Sequence, residues 1–154
     1  MDDGLGRLAY DAALRSLDKQ EELLNELRAR TGLLLAASSL AASFLGRPAL
    51  DRANGYVVVL ALVVFGISVV ASVTVLLPKK DLVFSLSGPA LFEGLYDLRD
   101  NMEEVFLRLA YDLHRFWTRN DGKIQRLLWW YRIAAGALVV EIVLLLASVS
   151  DTLL

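Results

Sequence analysis

The sequence predicts an all-α integral membrane protein with three transmembrane helices and amphipathic cytoplasmic helices. Three observations predict it. The chain of 154 residues is 56 % hydrophobic, and its mean hydropathy of +0.48 is high for a soluble domain of this size. Charged residues make up 22 % of the chain and lie in blocks between apolar runs. Two of those runs reach the length of about 20 residues that a helix needs to cross a bilayer.

Residues 1–30 read as a cytoplasmic amphipathic helix. Leu14, Leu17, Leu24 and Leu27 recur at threes, fours and sevens among Asp18, Glu21, Glu22, Glu26 and Arg28. No proline or glycine interrupts Leu8 to Arg30, so this helix is expected to run straight into the first apolar run. That run, TGLLLAASSLAASFLG from Thr31 to Gly46, is short for a span at about 16 residues. The long, mixed-charge stretch before it is wrong for a secretory signal, so it is read as a true span. Residues 31–77 then hold the first two spans, with a short outer loop at 47–55. The second span is Tyr56 to Leu77, YVVVLALVVFGISVVASVTVLL.

Residues 78–126 form a cytoplasmic segment. Within it, 82–86 suits either a short strand or an interfacial stretch, and Ser87–Gly88–Pro89 signals a turn. An amphipathic helix is expected over 92–127, with an apolar stripe of Leu95, Leu98, Met102, Phe106, Leu109, Leu113 and Phe116. Asn120–Asp121–Gly122 offers a break before the third span; the alternative is an unbroken rod of helix and span, about 55 residues and about 83 Å long at 1.5 Å per residue. That span is 127–150, LLWWYRIAAGALVVEIVLLLASVS, followed by an outer tail at 151–154.

Lysine and arginine counts set the orientation. Five fall in 1–30 and eight in 78–130, against two in the 47–55 loop. The thirteen-to-two bias places the N-terminus in the cytoplasm and the C-terminus outside the inner (plasma) membrane. Trp117, Trp129, Trp130 and Tyr131 cluster at the cytoplasmic end of the third span, where an aromatic belt belongs.

Several function classes are excluded. The net charge of −2 gives no reason to expect a nucleic-acid partner, and the absence of cysteine rules out thiolate metal sites and cysteine nucleophiles. One histidine argues against a multi-histidine metal centre. Neither a glycine-rich phosphate loop, a nucleophile elbow nor a His-Glu-x-x-His motif is present. The chain is therefore read as a non-enzyme, with no cofactor and no metal.

Glu141 is the sharpest candidate site. It lies nine residues from Arg132 and ten from Asp151, about 14–15 Å from either end of its helix. A carboxylate at such depth costs roughly 2.5–3.5 kcal/mol on insertion scales. Ala134, Ala137, Leu145 and Ser148 share its face, and Glu141, Ala137 and Ser148 are the candidate pore or ion residues. Two readings stand side by side. One is an uncharged acid hydrogen-bonded to serines of another helix. The other is a ring of carboxylates around a symmetric pore, which would titrate over a broad range.

Small residues mark the other spans. Gly32, Ala36, Ser39, Ser43 and Gly46 share one face of the first, and Ser68 and Ser72 one face of the second. Such faces suit close helix packing, with a polar pore lining as the functional alternative. Arg28, Arg30, His114, Arg115 and Arg119 are candidates for binding an anionic ligand, although bases that flank spans also serve as topology signals.

Two stretches carry a family resemblance. LDKQEELLNELRARTGLLLAASSLAASFLG is a charged helix running into a short small-residue span. LRLAYDLHRFWTRNDGKIQRLLWWYRIAAGALVVEIVLLLAS is a cytoplasmic helix ending in basic and aromatic residues before a last span. In layout they resemble the small prokaryotic membrane effectors of anti-phage signalling, the Pycsar transmembrane effectors and their SLATT-type relatives. The resemblance covers about half the chain. It implies an effector that responds to a nucleotide second messenger and impairs the inner membrane. The chain departs from that expectation in having no recognisable nucleotide-binding module.

The sequence thus points to a homo-oligomeric pore or channel-like effector of four to six copies, with the lipid bilayer as its first partner. The alternative is a non-conducting membrane scaffold whose cytoplasmic helices recruit a partner protein.

Overall fold

The computed structural model describes residues 4–52, 55–78, 82–84, 93–96 and 101–150, without the side chains of 45–52 and 148–150. Among these residues the regular structure is entirely helical. Three long helices carry it: α1, Leu5–Arg52; α2, Gly55–Leu76; and α3, Met102–Ser150. A single helical turn lies at 93–96. Two helices, Gly55–Leu76 and Met102–Ala147, hold stretches long and apolar enough to cross a membrane.

α1 runs without interruption from its charged half through the apolar run and on to Arg52. The helix therefore takes in most of the 47–55 segment expected as an outer loop, and 53–54 lie outside the described residues. α2 is rich in valine, a residue that favours strands in water. A helix satisfies all its backbone groups within one segment, the one solution open to an isolated run in an apolar medium.

α3 begins ten residues later than the helix expected from 92. Asn101 starts it. The Glu104 amide donates to Asn101 Oδ1 at 3.4 Å, and Asn101 Nδ2 donates to Glu104 Oε2 at 3.3 Å. The Val105 amide closes the first turn on the Asn101 carbonyl. Asn-x-x-Glu is thus an N-terminal cap with an acidic residue at the third position, a variant of the capping box. Of the two readings at Asn120–Asp121–Gly122 the unbroken one holds, since α3 runs through all three residues. Asn120 is fully buried, and its amide is occupied by the backbone of Val83: Asn120 Nδ2 donates to the Val83 carbonyl at 2.8 Å, and the Val83 amide donates to Asn120 Oδ1 at 3.3 Å. A side chain engaged in this way does not compete for its own helix's hydrogen bonds. Residues 82–84, offered as a strand or an interfacial stretch, form neither helix nor strand, and 85–86 lie outside the described residues.

The chain divides into two compact units, Met1–Asn25 with Lys79–Gln125, and Glu26–Pro78 with Arg126–Leu154. In the first, α1 and α3 pack in parallel. The contacts run Gly6 to Glu103, Tyr10 to Phe106 and Gln20 to Trp117, advancing together along both helices. Leu17 and Leu24 on α1 and Val105, Leu109, Leu113 and Ile124 on α3 form the buried face. Of the expected stripe, Leu109 and Leu113 are buried, Phe106 and Phe116 are half-buried, and Met102 is exposed. The outward face is charged: Arg15, Asp18, Lys19, Glu21 and Glu22 on α1, and Glu103, Glu104, Arg108 and Asp112 on α3, are all exposed.

The second unit is built the opposite way round. In it α2 packs antiparallel to α3, with Ala61 against Leu145 and Ser68 against Ala134. Large apolar side chains face outward: Leu33, Leu40 and Phe44 on α1; Val59, Leu62, Val63 and Val70 on α2; Val139, Val143 and Leu146 on α3. Polar side chains face inward: Thr31, Ser38, Ser68, Ser72 and Glu141 are all buried.

Candidate functional site

The inward polar side chains of the second unit form the candidate site, and helical spacing puts them there. On α3 the buried positions Leu127, Ala134 and Glu141 recur every seventh residue, the period that keeps one stripe against a partner helix. On α1, Thr31 and Ser38 have the same spacing and are both fully buried. Glu141 is only 1 % exposed. Ser38 Oγ donates to Glu141 Oε2 at 2.5 Å, while Glu141 Oε1 is buried with no hydrogen-bond partner among the described residues. Nearer the other end of the bundle, Ser68 Oγ donates to the Ala134 carbonyl at 3.4 Å, and Ser72 Oγ is buried without a partner. Thr31 Oγ1 turns back onto its own helix, donating to the Leu27 carbonyl at 2.7 Å.

The arrangement answers one sequence expectation directly. The acid meets a serine of another helix, and that serine is Ser38. The small-residue face of Gly32, Ala36, Ser39 and Ser43 does not supply it. Ala36, Ser39 and Ser43 are exposed within the chain, and Ser39 bonds back to the Leu35 carbonyl. A Cβ placed on Gly32 would meet nothing within 4 Å, so no helix of the same chain approaches closely there among the described residues. Ser38 sits one position round the helix, about 100° from Ser39. The signal that finds it is the seven-residue step from Leu17 and Leu24 to Thr31 and Ser38. Ala137 is half-buried beside Glu141, and the Ser148 side chain lies outside the described residues.

A carboxyl group with one oxygen held by a hydroxyl and the other buried without a partner has acceptor capacity left for a proton, a water molecule or a cation. Within the single chain Glu141 faces α1, with Ser38 against it. Among the described residues no group of three or more His, Asp or Glu side chains is placed to hold a metal ion.

The five basic candidates divide between the units. Arg28 and Arg30 belong to the second, and His114, Arg115 and Arg119 to the first. Arg30 is engaged by Glu26, 2.5 Å away one turn back on its own helix. Arg28 is half-buried, its Nε lacking a hydrogen-bond partner. Arg115 and Arg119 are exposed. His114 stacks on Trp117 with ring centroids 5.8 Å apart and planes 12° from parallel. These two rings, with Ala13 and Ser16, line a hollow of about 230 Å³ in the first unit. It adjoins an apolar groove of about 370 Å³ between Ala9, Ala12, Leu107, Ala110 and Tyr111.

Fold and site together define a helical protein with an apolar-faced, polar-cored bundle and a charged-faced helical pair. Comparison with protein-family models, with characterised proteins and with solved structures finds no match.

Proposed function

We propose that the protein is an integral membrane protein of three crossings that works as a channel-like effector in a homo-oligomer, with the buried polar seam of its second unit as the conducting element. The observation that supports this is the inverted burial of that unit. Apolar side chains face outward on all three of its helices, while Ser38, Ser68, Ser72 and Glu141 lie inside. Water would reward the opposite pattern; lipid rewards this one. The apolar part of α1 shares in it through Leu33, Leu40 and Phe44, which favours a third crossing beside the two helices that qualify by length and composition. Glu141 Oε1 and the Ser72 hydroxyl, both buried without a partner, are polar groups that separation of the helices would hydrate. Control by a nucleotide second messenger, and a role in anti-phage defence, rest on the family resemblance.

Flux through reconstituted vesicles tests the reading. Glu141→Gln preserves shape and the Ser38 contact, removes the carboxylate, and should lower cation flux or selectivity while leaving oligomer size intact. Glu141→Leu also dries the seam and should abolish flux. Unchanged flux in Glu141→Leu overturns the conducting role.

A second reading, the non-conducting scaffold, has its own support. Ser38 and Glu141 close on each other inside one chain, as a structural contact would, and the first unit presents an apolar groove beside exposed Leu8 and Tyr111. Absence of flux from a well-assembled wild-type oligomer would favour it.

A further inference from the structure

On α3 the outward face of the second unit carries Arg126, Trp129 and Arg132, all exposed. They are three residues apart, so each lies about 4.5 Å beyond the last along the axis. Leu127, Ala134, Leu138 and Leu145 define the buried stripe of the same helix. Trp129, at 57 % exposure, lies on the side of the helix opposite that stripe, with an arginine about 60° to either side of it. Neither arginine has an ion-pair partner among the described residues. The trio also stands where the outward face changes character. Arg115, Arg119 and Gln125 precede it, and Val139, Val140 and Val143 follow. Arg132 lies inside the apolar run, so its guanidinium must reach back along the helix toward water.

We infer that Arg126, Trp129 and Arg132 form a binding face for the phosphate headgroup of an anionic phospholipid. One arginine flanks the indole on either side, about 60° round the helix and about 4.5 Å along it. Each offers a planar set of donors matched to phosphate oxygens, and the indole packs on the glycerol and upper acyl chain. A zwitterionic headgroup carries its own cation into that space and gains less. The inference rests on the membrane reading above. It goes beyond it in naming a lipid class and the residues that select it.

The test uses full-length protein with Trp117 and Trp130 replaced by Phe, so that Trp129 is the only indole. It is reconstituted into vesicles of phosphatidylglycerol and phosphatidylcholine in equal parts, with brominated chains on one lipid or the other. Quenching of Trp129 should be stronger when phosphatidylglycerol carries the bromine. Interfacial attraction near 1 kcal/mol per basic residue corresponds to a preference of about fivefold for each arginine. Arg126→Gln with Arg132→Gln should equalise the two lipids while helicity is unchanged. Equal quenching in the parent protein overturns the inference and leaves membrane insertion standing. No quenching by either lipid overturns both. Inorganic phosphate should leave the preference in place at matched ionic strength. Its loss under phosphate would mean that the face takes free phosphate, and would overturn the lipid assignment.

Discussion

At the scale of residues, the contact between Ser38 and Glu141 is the most consequential in the second unit. Ser38→Ala removes the one hydrogen-bond partner of Glu141 among the described residues and leaves both carboxyl oxygens buried and unmet. The expected cost is about 1–3 kcal/mol, read as a lower midpoint of denaturant unfolding in detergent. Ser39→Ala, one position away on the exposed face, should leave the midpoint where it is. Gly6 makes the corresponding demand in the first unit. It is buried, and a Cβ there would stand 2.6 Å from the backbone carbonyl oxygen of Glu103. Backbone cannot yield as a side chain does, so Gly6→Ala should destabilise by about 1–3 kcal/mol through overpacking. Gly122 provides the contrast. It is exposed inside α3 with nothing within 4 Å of an added Cβ, so Gly122→Ala should raise the thermal midpoint, stabilising by about 0.5–1 kcal/mol.

At the scale of elements, α3 shows how the same residue type can start a helix or be absorbed into one. Asn101 starts α3 because its side chain reaches the free amide of Glu104. Asn101→Ala should cost about 1 kcal/mol and speed hydrogen exchange at the Glu104 and Val105 amides, leaving the centre of the helix protected. Asn120, nineteen residues on, is absorbed because Val83 takes both ends of its amide. Local pattern is insufficient at both places. The apolar spacing of Leu95, Leu98 and Met102 reads as helix across the true start, although Asn-x-x-Glu was there to mark it. The Asn-Asp-Gly cluster leaves a break and an unbroken rod both open, since nothing in the flanking residues announces a partner at Val83. Element type was legible from periodicity and run length. These boundaries were decided by hydrogen bonds, one of them with a residue 37 positions away.

At the scale of the whole molecule, the two units present different surfaces: charged side chains on the first and apolar ones on the second. If the second sits in lipid with three crossings, the positive-residue bias fixes the threading. Single cysteines at Asn54 and at Leu154 should then label from outside intact cells, and one at Asp100 should not. Labelling at Asp100 would refute the three-crossing arrangement. Mass measurement in mild detergent should give a homo-oligomer, and a wild-type monomer would sink that part of the proposal.

The sequence by itself determined that the chain is helical, where its apolar runs lie, and that Glu141 stands alone in the middle of one of them. Those properties follow from composition and from periods of seven residues or fewer, which neighbouring residues carry between them. Only the tertiary structure decided which face of α1 meets α3, and so that Glu141 turns inward to Ser38 and away from the Ala36, Ser39 and Ser43 face. The physical reason is rotational. One residue along a helix turns a side chain by about 100°, and small residues on two adjacent faces look alike until a partner helix covers one of them.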